Sequence, residues 1–315
     1  MRSTQDYKGD TFEKKTKRLS QGSTTYALVT PARNEARYLN SLIPCILGQT
    51  LLPLKWIVVS DGSTDNTDEI VTRASSCAPL IELVRYDGIS KRGFGSKALA
   101  FMAGYEHLKH LEFAYIGNLD ADITFGPNYY ERLIEEMTRN PNLGVASGVV
   151  MEKKGASFKR VLSSLNHAVG AAQFWRRECF ETVGGYLPVT VGGMDAIAEL
   201  KARMYGWETR SFSDLPVYHH RVTDHANGRS VFYVAFRAGM TEYHIGTEPL
   251  FALMKALRRW RDKPPIISIF IRLLGYFKLW LHKSKRDAPE DLVRYLKKEQ
   301  RERIRKVFRG IFDWR

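Results

Sequence analysis

The chain reads as an α/β protein built on a parallel sheet with helices on both faces, and three observations predict it. Short apolar runs rich in β-forming residues alternate with helical stretches in the order βαβαβαβ between Tyr26 and Asn118. Each run stops at a polar loop of acids and small residues, the punctuation expected where a buried strand surfaces. A hydrophobic content of 44% over 315 residues is ample for one large core.

Tyr26 to Thr30 is the first strand, expected to halt at Pro31, and Ala32-Arg33-Asn34-Glu35 is a polar loop before a helix from about Tyr38 to Leu47. Lys55 to Ser60 is the second strand. The run Asp61 to Thr67 follows it, with Asp65 expected to cap a helix reaching about Ser76 and Asp61 free to accept hydrogen bonds from a ribose or base. A third strand spans Leu80 to Arg85, and a helix spans about Gly93 to His107. Between them, Lys91-Arg92-Gly93-Phe94-Gly95-Ser96-Lys97 combines glycines, bases and a helix N-terminus, as a basic loop over phosphates would. It matches neither the P-loop nor the dinucleotide fingerprint, which argues against ATPase and dehydrogenase functions.

The fourth strand opens Tyr115-Ile-Gly-Asn-Leu-Asp-Ala-Asp122 and ends in two carboxylates, Asp120 and Asp122. Open α/β sheets bind ligands in the crevice at their carboxyl ends. Paired carboxylates there suit a hard cation, Mg²⁺ or Mn²⁺, that takes further ligands from a substrate's phosphates. A nucleoside diphosphate is therefore the expected ligand. Further on, Asn128 to Arg139 is an amphipathic helix, Gly144 to Val150 a strand, Ser157 to Gly170 a link, and Val183-Gly184-Gly185-Tyr186 the end of another helix.

Pro31-Ala32-Arg33-Asn34-Glu35, then Val59-Ser60-Asp61-Gly62-Ser63-Thr64-Asp65, then Asp120-Ala121-Asp122 resemble, in order, the nucleotide-sugar motifs of family-2 glycosyltransferases. The resemblance implies the GT-A fold, a Rossmann-like mixed and mostly parallel sheet. It implies that Pro31, Arg33 and Glu35 line the nucleoside pocket and that Asp61 touches the base or ribose. Asp120 and Ala121 would then lie along the donor, with Asp122 and Asp120 on the metal, and Lys97 of the basic loop is expected over the donor's phosphates. An aromatic residue stands in many relatives where this chain has Arg33. Gly192-Gly193-Met194-Asp195 falls where the family carries its Glu-Asp motif, with Met194 in place of the Glu. Asp195 is thus the expected catalytic base, taking the proton of an acceptor hydroxyl. Glu199, one turn on, is the alternative base, but it is expected rather to pair with Arg203. Glu208 to Ser213 is an expected edge strand, after which His220, or its neighbour His219, is the expected third metal ligand.

The formal charge of +14 is unevenly placed, since residues 251–315 hold 19 Lys and Arg against 7 Asp and Glu, a net +12. Ile266 to His282 reads as a helix with a narrow polar stripe (Ser268, Arg272, Gly275, Lys278, His282) and a wide apolar face, too short and too charged to span a bilayer. Pro289 to Phe312 reads as a basic amphipathic helix. Such segments are drawn to anionic headgroups by about 1 kcal/mol per basic residue. The three cysteines include no Cys-x-x-Cys, and the N-terminus is polar, so a cytoplasmic enzyme peripheral on the inner face of the membrane is expected. The expected organisation is a mobile arm over residues 1–23, a catalytic domain over 24–250 and a helical appendage over 251–315.

The leading function is an inverting, metal-dependent glycosyltransferase with a nucleoside-diphospho-sugar donor and a hydroxyl acceptor, lipid-linked if the tail meets a membrane. A sugar-nucleotide nucleotidyltransferase would carry a glycine-rich loop directly after the first strand, and Pro31 to Glu35 contains no glycine. A nucleic-acid-binding protein using the basic tail leaves the acids unexplained, so no nucleic acid is expected as partner.

Overall fold

The computed structural model describes residues 24–87, 93–154, 157–161, 163–221, 230–260 and 265–312, without the side chains of 154 and 306–312. The expected arm over 1–23, and Lys91 and Arg92 of the basic loop, lie outside the described residues. Nine strands form one sheet: β1 (Tyr26–Ala32), β2 (Lys55–Ser60), β3 (Ile81–Arg85), β4 (Tyr115–Asn118), β5 (Ile123–Phe125), β6 (Leu143–Lys154), β7 (Ser157–Arg160), β8 (Phe174–Arg176) and β9 (Glu208–His219). Their order is β3-β2-β1-β4-β8-β6-β9-β5, with β7 hanging on β6. The first four are mutually parallel, β8 runs antiparallel between β4 and β6, β9 runs parallel to β6, and β5 closes the far edge antiparallel. The sheet is mixed and mostly parallel, as the resemblance implies.

Burial of both faces explains the continuous apolar runs. Alternation sends Leu28, Trp56 and Val58 to one face, under Leu39, Leu42 and Ile46 of α1 (Ala36–Leu47). It sends Val29, Ile57 and Val59 to the other face, under Phe101 and Tyr105 of α3 (Ser96–Glu106) and Phe180 of α5 (Arg177–Val183). Helix α2 (Thr67–Cys77) lies against β3, and α4 (Tyr129–Arg139) buries Leu133, Ile134 and Met137. Helix α6 (Met194–Met204) follows the Gly192–Gly193 corner.

Two expectations about strand ends need correction. Strand β1 does not halt at Pro31 but runs on to Ala32, pairing Pro31 with Val59 and Ala32 with Ser60. The β4 ladder ends at Val29↔Asn118, so the N–H that proline lacks falls where no partner strand remains on that side. Strand β9 does not stop at Ser213 either. A bulge takes its register on β6 from Gly148↔Phe212 to Val149↔Pro216, and β5 flanks it over Val217–His219. Over the expected span, Glu208 to Ser213, β9 pairs with β6 alone, and it is flanked on both sides only at Val217–His219.

Four further helices follow among the described residues: α7 (Val231–Ile245), α8 (Pro249–Arg258), α9 (Ile267–Leu281) and α10 (Glu290–Phe312). The α7–α9 pair is the most extensive helix packing of the described chain and crosses the boundary expected at residue 250. The apolar side of α10 belongs to the core: Leu292, Val293 and Leu296 pack with Ala198 and Ala202 of α6, and Arg203 pairs with Glu299 of α10 at 3.4 Å.

Candidate active site

Parallel strands deliver their carboxyl ends to one rim, so Pro31 at the end of β1, Arg33 and Glu35 after it, Asp61 after β2 and Asp120 after β4 meet there. The rim borders a cavity of about 1230 Å³, whose walls also carry Lys97, Asp195, His167 and His219. That volume accommodates a ligand larger than a mononucleotide.

The loops after β1 and β2 are stitched to each other. Asn34 adopts φ +57°, a conformation asparagine tolerates, and its Oδ1 accepts from Thr64 N at 2.7 Å. Asp65 accepts from Thr67 N at 3.0 Å, as a cap does, but its other oxygen accepts from Ala36 N at 3.1 Å at the start of α1. Thr67 Oγ1 in turn accepts from Glu35 N at 2.8 Å. The polar run after β2 thus fixes Glu35. Arg33 Nη1 stands 3.6 Å from Asp61 Oδ2.

Asp120, Asp122 and His219 form an acid–imidazole cluster whose potential ligand atoms all lie within 4.8 Å of one another. His219 Nε2 is 3.1 Å from Asp122 Oδ1. The strand's alternation points His220 elsewhere, where its Nε2 lies 2.8 Å from Thr124 Oγ1, so the histidine beside the acids is His219 rather than the expected His220. Lys97, on the first turn of α3, hydrogen-bonds Asp120. The guanidinium of Arg221, which the sequence reading missed, reaches Asp122 Oδ2 through Nε at 3.0 Å and hydrogen-bonds Glu35.

Burial raises both aspartates, and their partners then separate them. On Asp122 the His219 hydrogen bond and the Arg221 charge outweigh burial and hold it below the ordinary carboxylate range. On Asp120 burial outweighs the Lys97 ammonium and leaves it raised. Burial pushes Glu35 up to about 7 despite its bond to Arg221. On Lys97 burial is outweighed by Asp120, with Asp195 and Asp122 adding to it, and the ammonium is held above its ordinary value.

Asp195 occupies the first turn of α6, facing the cavity across Gly170, where a Cβ would come within 2.0 Å of its Oδ2. Glu199 does not pair with Arg203, contrary to expectation. It is buried, and its carboxylate accepts from Ala168 N at 3.2 Å and Thr209 Oγ1 at 3.1 Å while holding His167 Nδ1 at 2.5 Å. Its position on α6 explains the difference, since β9 and the 163–169 segment offer it partners while Arg203 turns to Glu299 of α10.

Acid-bearing strand ends around one cavity, on a sheet of this order, define a glycosyltransferase of the GT-A type. Residues 27–196, more than half of the chain, match the family model for glycosyl transferase family 2, and the chain belongs to that family. Among curated relatives, chondroitin synthase of Pasteurella multocida (strain Pm70) is 28% identical over 113 residues, 36% of this chain and 11% of that protein. Succinoglycan biosynthesis protein ExoA of Rhizobium meliloti (strain 1021) is 29% identical over 185 residues, 52% of this chain and 53% of that protein. The chain thus aligns with about half or less of the length of these two relatives. Mannosyltransferase PcManGT from Pyrobaculum calidifontis, solved in complex with GDP-Man and Mn²⁺, shares the fold with a TM-score of 0.51 and 18% identity, over 84% of this chain and 76% of that one.

Proposed function

We propose that the chain moves a sugar from a nucleoside-diphosphate donor to a hydroxyl acceptor in a single inverting displacement that depends on a divalent cation. The observation that carries this reading is the cavity itself, which has Asp120 and His219 of the acid–imidazole cluster and Asp195 on its walls, with Asp122 beside them. Two carboxylates and one imidazole fit Mn²⁺ or Mg²⁺, the imidazole favouring Mn²⁺. A cation held there neutralises the charge developing on the leaving diphosphate. The GDP-Man and Mn²⁺ of the PcManGT structure support a donor and ion of this kind.

In this reading Pro31, Arg33, Glu35 and Asp61 hold the nucleoside, and Asp120, Ala121 and Lys97 lie along the sugar and diphosphate. Asp195 takes the proton of the acceptor hydroxyl as the new bond forms on the sugar face opposite the leaving group. Residues 24–250 form the catalytic unit and 251–315 a helical appendage, whose α9 packs on α7 and whose α10 packs on α6. Among the described residues no helix is long and apolar enough to cross a membrane. The net +12 of residues 251–315 supports reading the protein as peripheral on the inner face, with a lipid-linked acceptor.

A screen of UDP-, GDP- and dTDP-sugars for Mn²⁺-dependent turnover tests the reading. Asp122→Ala should abolish metal-dependent turnover, and Asp195→Asn should keep donor affinity while lowering kcat by on the order of 10²-fold. Full activity of Asp122→Ala in excess chelator would overturn the metal assignment, and an unchanged kcat in Asp195→Asn would overturn the base.

A further inference from the structure

Helix α9 is amphipathic, and it is turned so that much of its apolar side faces solvent. The small and polar positions of its stripe, Ser268 and Gly275, are buried, whereas Phe270 is 67%, Leu274 62% and Leu281 70% exposed. The cause is the packing on α7. A Cβ at Gly239 would stand 1.8 Å from the Arg272 carbonyl oxygen, and one at Gly275 would stand 2.1 Å from that of Phe236. Only glycines allow the two backbones to approach so closely, and the contact consumes Ser268 and Gly275, with Ile269 and Tyr276, and leaves Phe270, Leu274 and Leu281 outside.

Helix α8 continues this surface. Leu250, Leu253 and Leu257 recur along one side of it and are exposed, as are Trp260 and Ile266, whose backbones meet in an Ile266 N to Trp260 O hydrogen bond of 3.2 Å. Contiguous apolar surface of this kind marks an interaction site rather than an ordinary monomer surface. Residues 249–285 also hold nine Lys or Arg against one acid, Asp262.

We propose that the outward face of α8 and α9 docks on an anionic phospholipid bilayer, lying in the headgroup plane. Large apolar side chains flanked by cations are the two weak signals that stable peripheral binding combines. The same charge disfavours a second copy as occupant, because a two-fold contact would oppose like-charged surfaces. Helix α10, the more basic segment, is the weaker candidate, since the apolar side it would insert is already buried against α6. The proposal deepens the membrane reading above and names its surface. Helix α7 connects this surface to the donor cavity: Phe236 and Gly239 face α9, while Arg237 donates to Val191 O at 3.3 Å beside the cavity wall. Two stacked helices, α7 and α9, thus separate the cavity from the docking face, a distance on the order of 20 Å.

Flotation of the full-length protein with phosphatidylcholine vesicles, with and without phosphatidylglycerol, tests this. The protein should float with anionic vesicles at low salt, less so at high salt. The exposed double variant Phe270→Glu/Leu274→Glu should lose partition by about tenfold or more, as forfeited burial of two large apolar side chains implies. Arg294→Gln/Lys298→Gln/Arg301→Gln on α10 should still float. Absence of flotation by the native protein, unchanged flotation of the double variant, or a dimer that the double variant dissolves would each overturn the proposal. Nucleotide-sugar binding by the double variant, measured by calorimetry without vesicles, should equal that of the native protein. A native protein that floats yet binds no nucleotide sugar would overturn the transferase reading alone.

Discussion

Arg221 bridges Asp122 and Glu35, with its Nε 3.0 Å from Asp122 Oδ2 and its Nη2 hydrogen-bonded to Glu35, while its guanidinium lies 4.8 Å from the Tyr38 ring centroid. Here a fixed side-chain cation sits on the carboxylate that the metal reading assigns to a divalent ion. Each positive charge weakens the other's hold on Asp122. Arg221→Gln should therefore tighten Mn²⁺ binding in the absence of donor by on the order of tenfold, about 1.4 kcal/mol. Titration followed by the electron paramagnetic resonance of free Mn²⁺ measures it. Weaker binding in the variant would make Arg221 a support of the site and not a competitor in it.

Much of this site was legible in the sequence because parallel strands announce themselves locally. Apolar runs ending in Glu35, Asp61 and Asp120 place those residues at one sheet edge without any tertiary information. His219 was not separable from His220, because the phase of β9 depends on a bulge on its partner strand and not on its own pattern. Arg221 carried no signal at all. Strands β5 and β7 span three and four residues, too few to show a period. For α9 the pattern revealed two faces but not which one turns inward, since that is decided by glycines on two different helices.

The His167–Glu199 pair predicts a pH dependence. Burial lowers His167, but the hydrogen bond and charge of Glu199 outweigh it and hold the imidazole above its ordinary value. A histidine raised in the folded state contributes stability that is complete below its unfolded value, about 6.5, and is lost as pH rises through the folded value. The melting temperature of the native protein should fall across that window, and the fall should flatten in Glu199→Gln, whatever constant offset the substitution brings. Parallel pH profiles for the two proteins would show that the pair does not titrate with folding.

The Gly239–Gly275 crossing makes a prediction in which two opposing effects can be ranked. Alanine in place of glycine within a helix gains about 1 kcal/mol in propensity. At Gly275, however, the added methyl would meet the Phe236 carbonyl oxygen at 2.1 Å, and that oxygen belongs to the backbone of a neighbouring helix, so no side-chain rotation relieves it. Overpacking of this kind costs about 1–3 kcal/mol, often more against backbone. The clash should win, and Gly275→Ala should lower the urea midpoint without changing the slope. Moving α9 outward also loosens Tyr276, which is buried and donates to Thr247 O at 2.6 Å, so the loss should exceed that of a core-remote control such as Gly206→Asn, where no atom lies within 4 Å of an added Cβ. Asparagine suits the positive φ of Gly206, which keeps backbone strain out of the comparison. A midpoint for Gly275→Ala equal to or above the native one would mean that α7 and α9 lie further apart than this crossing, and that the outward turn of α9 has some other cause.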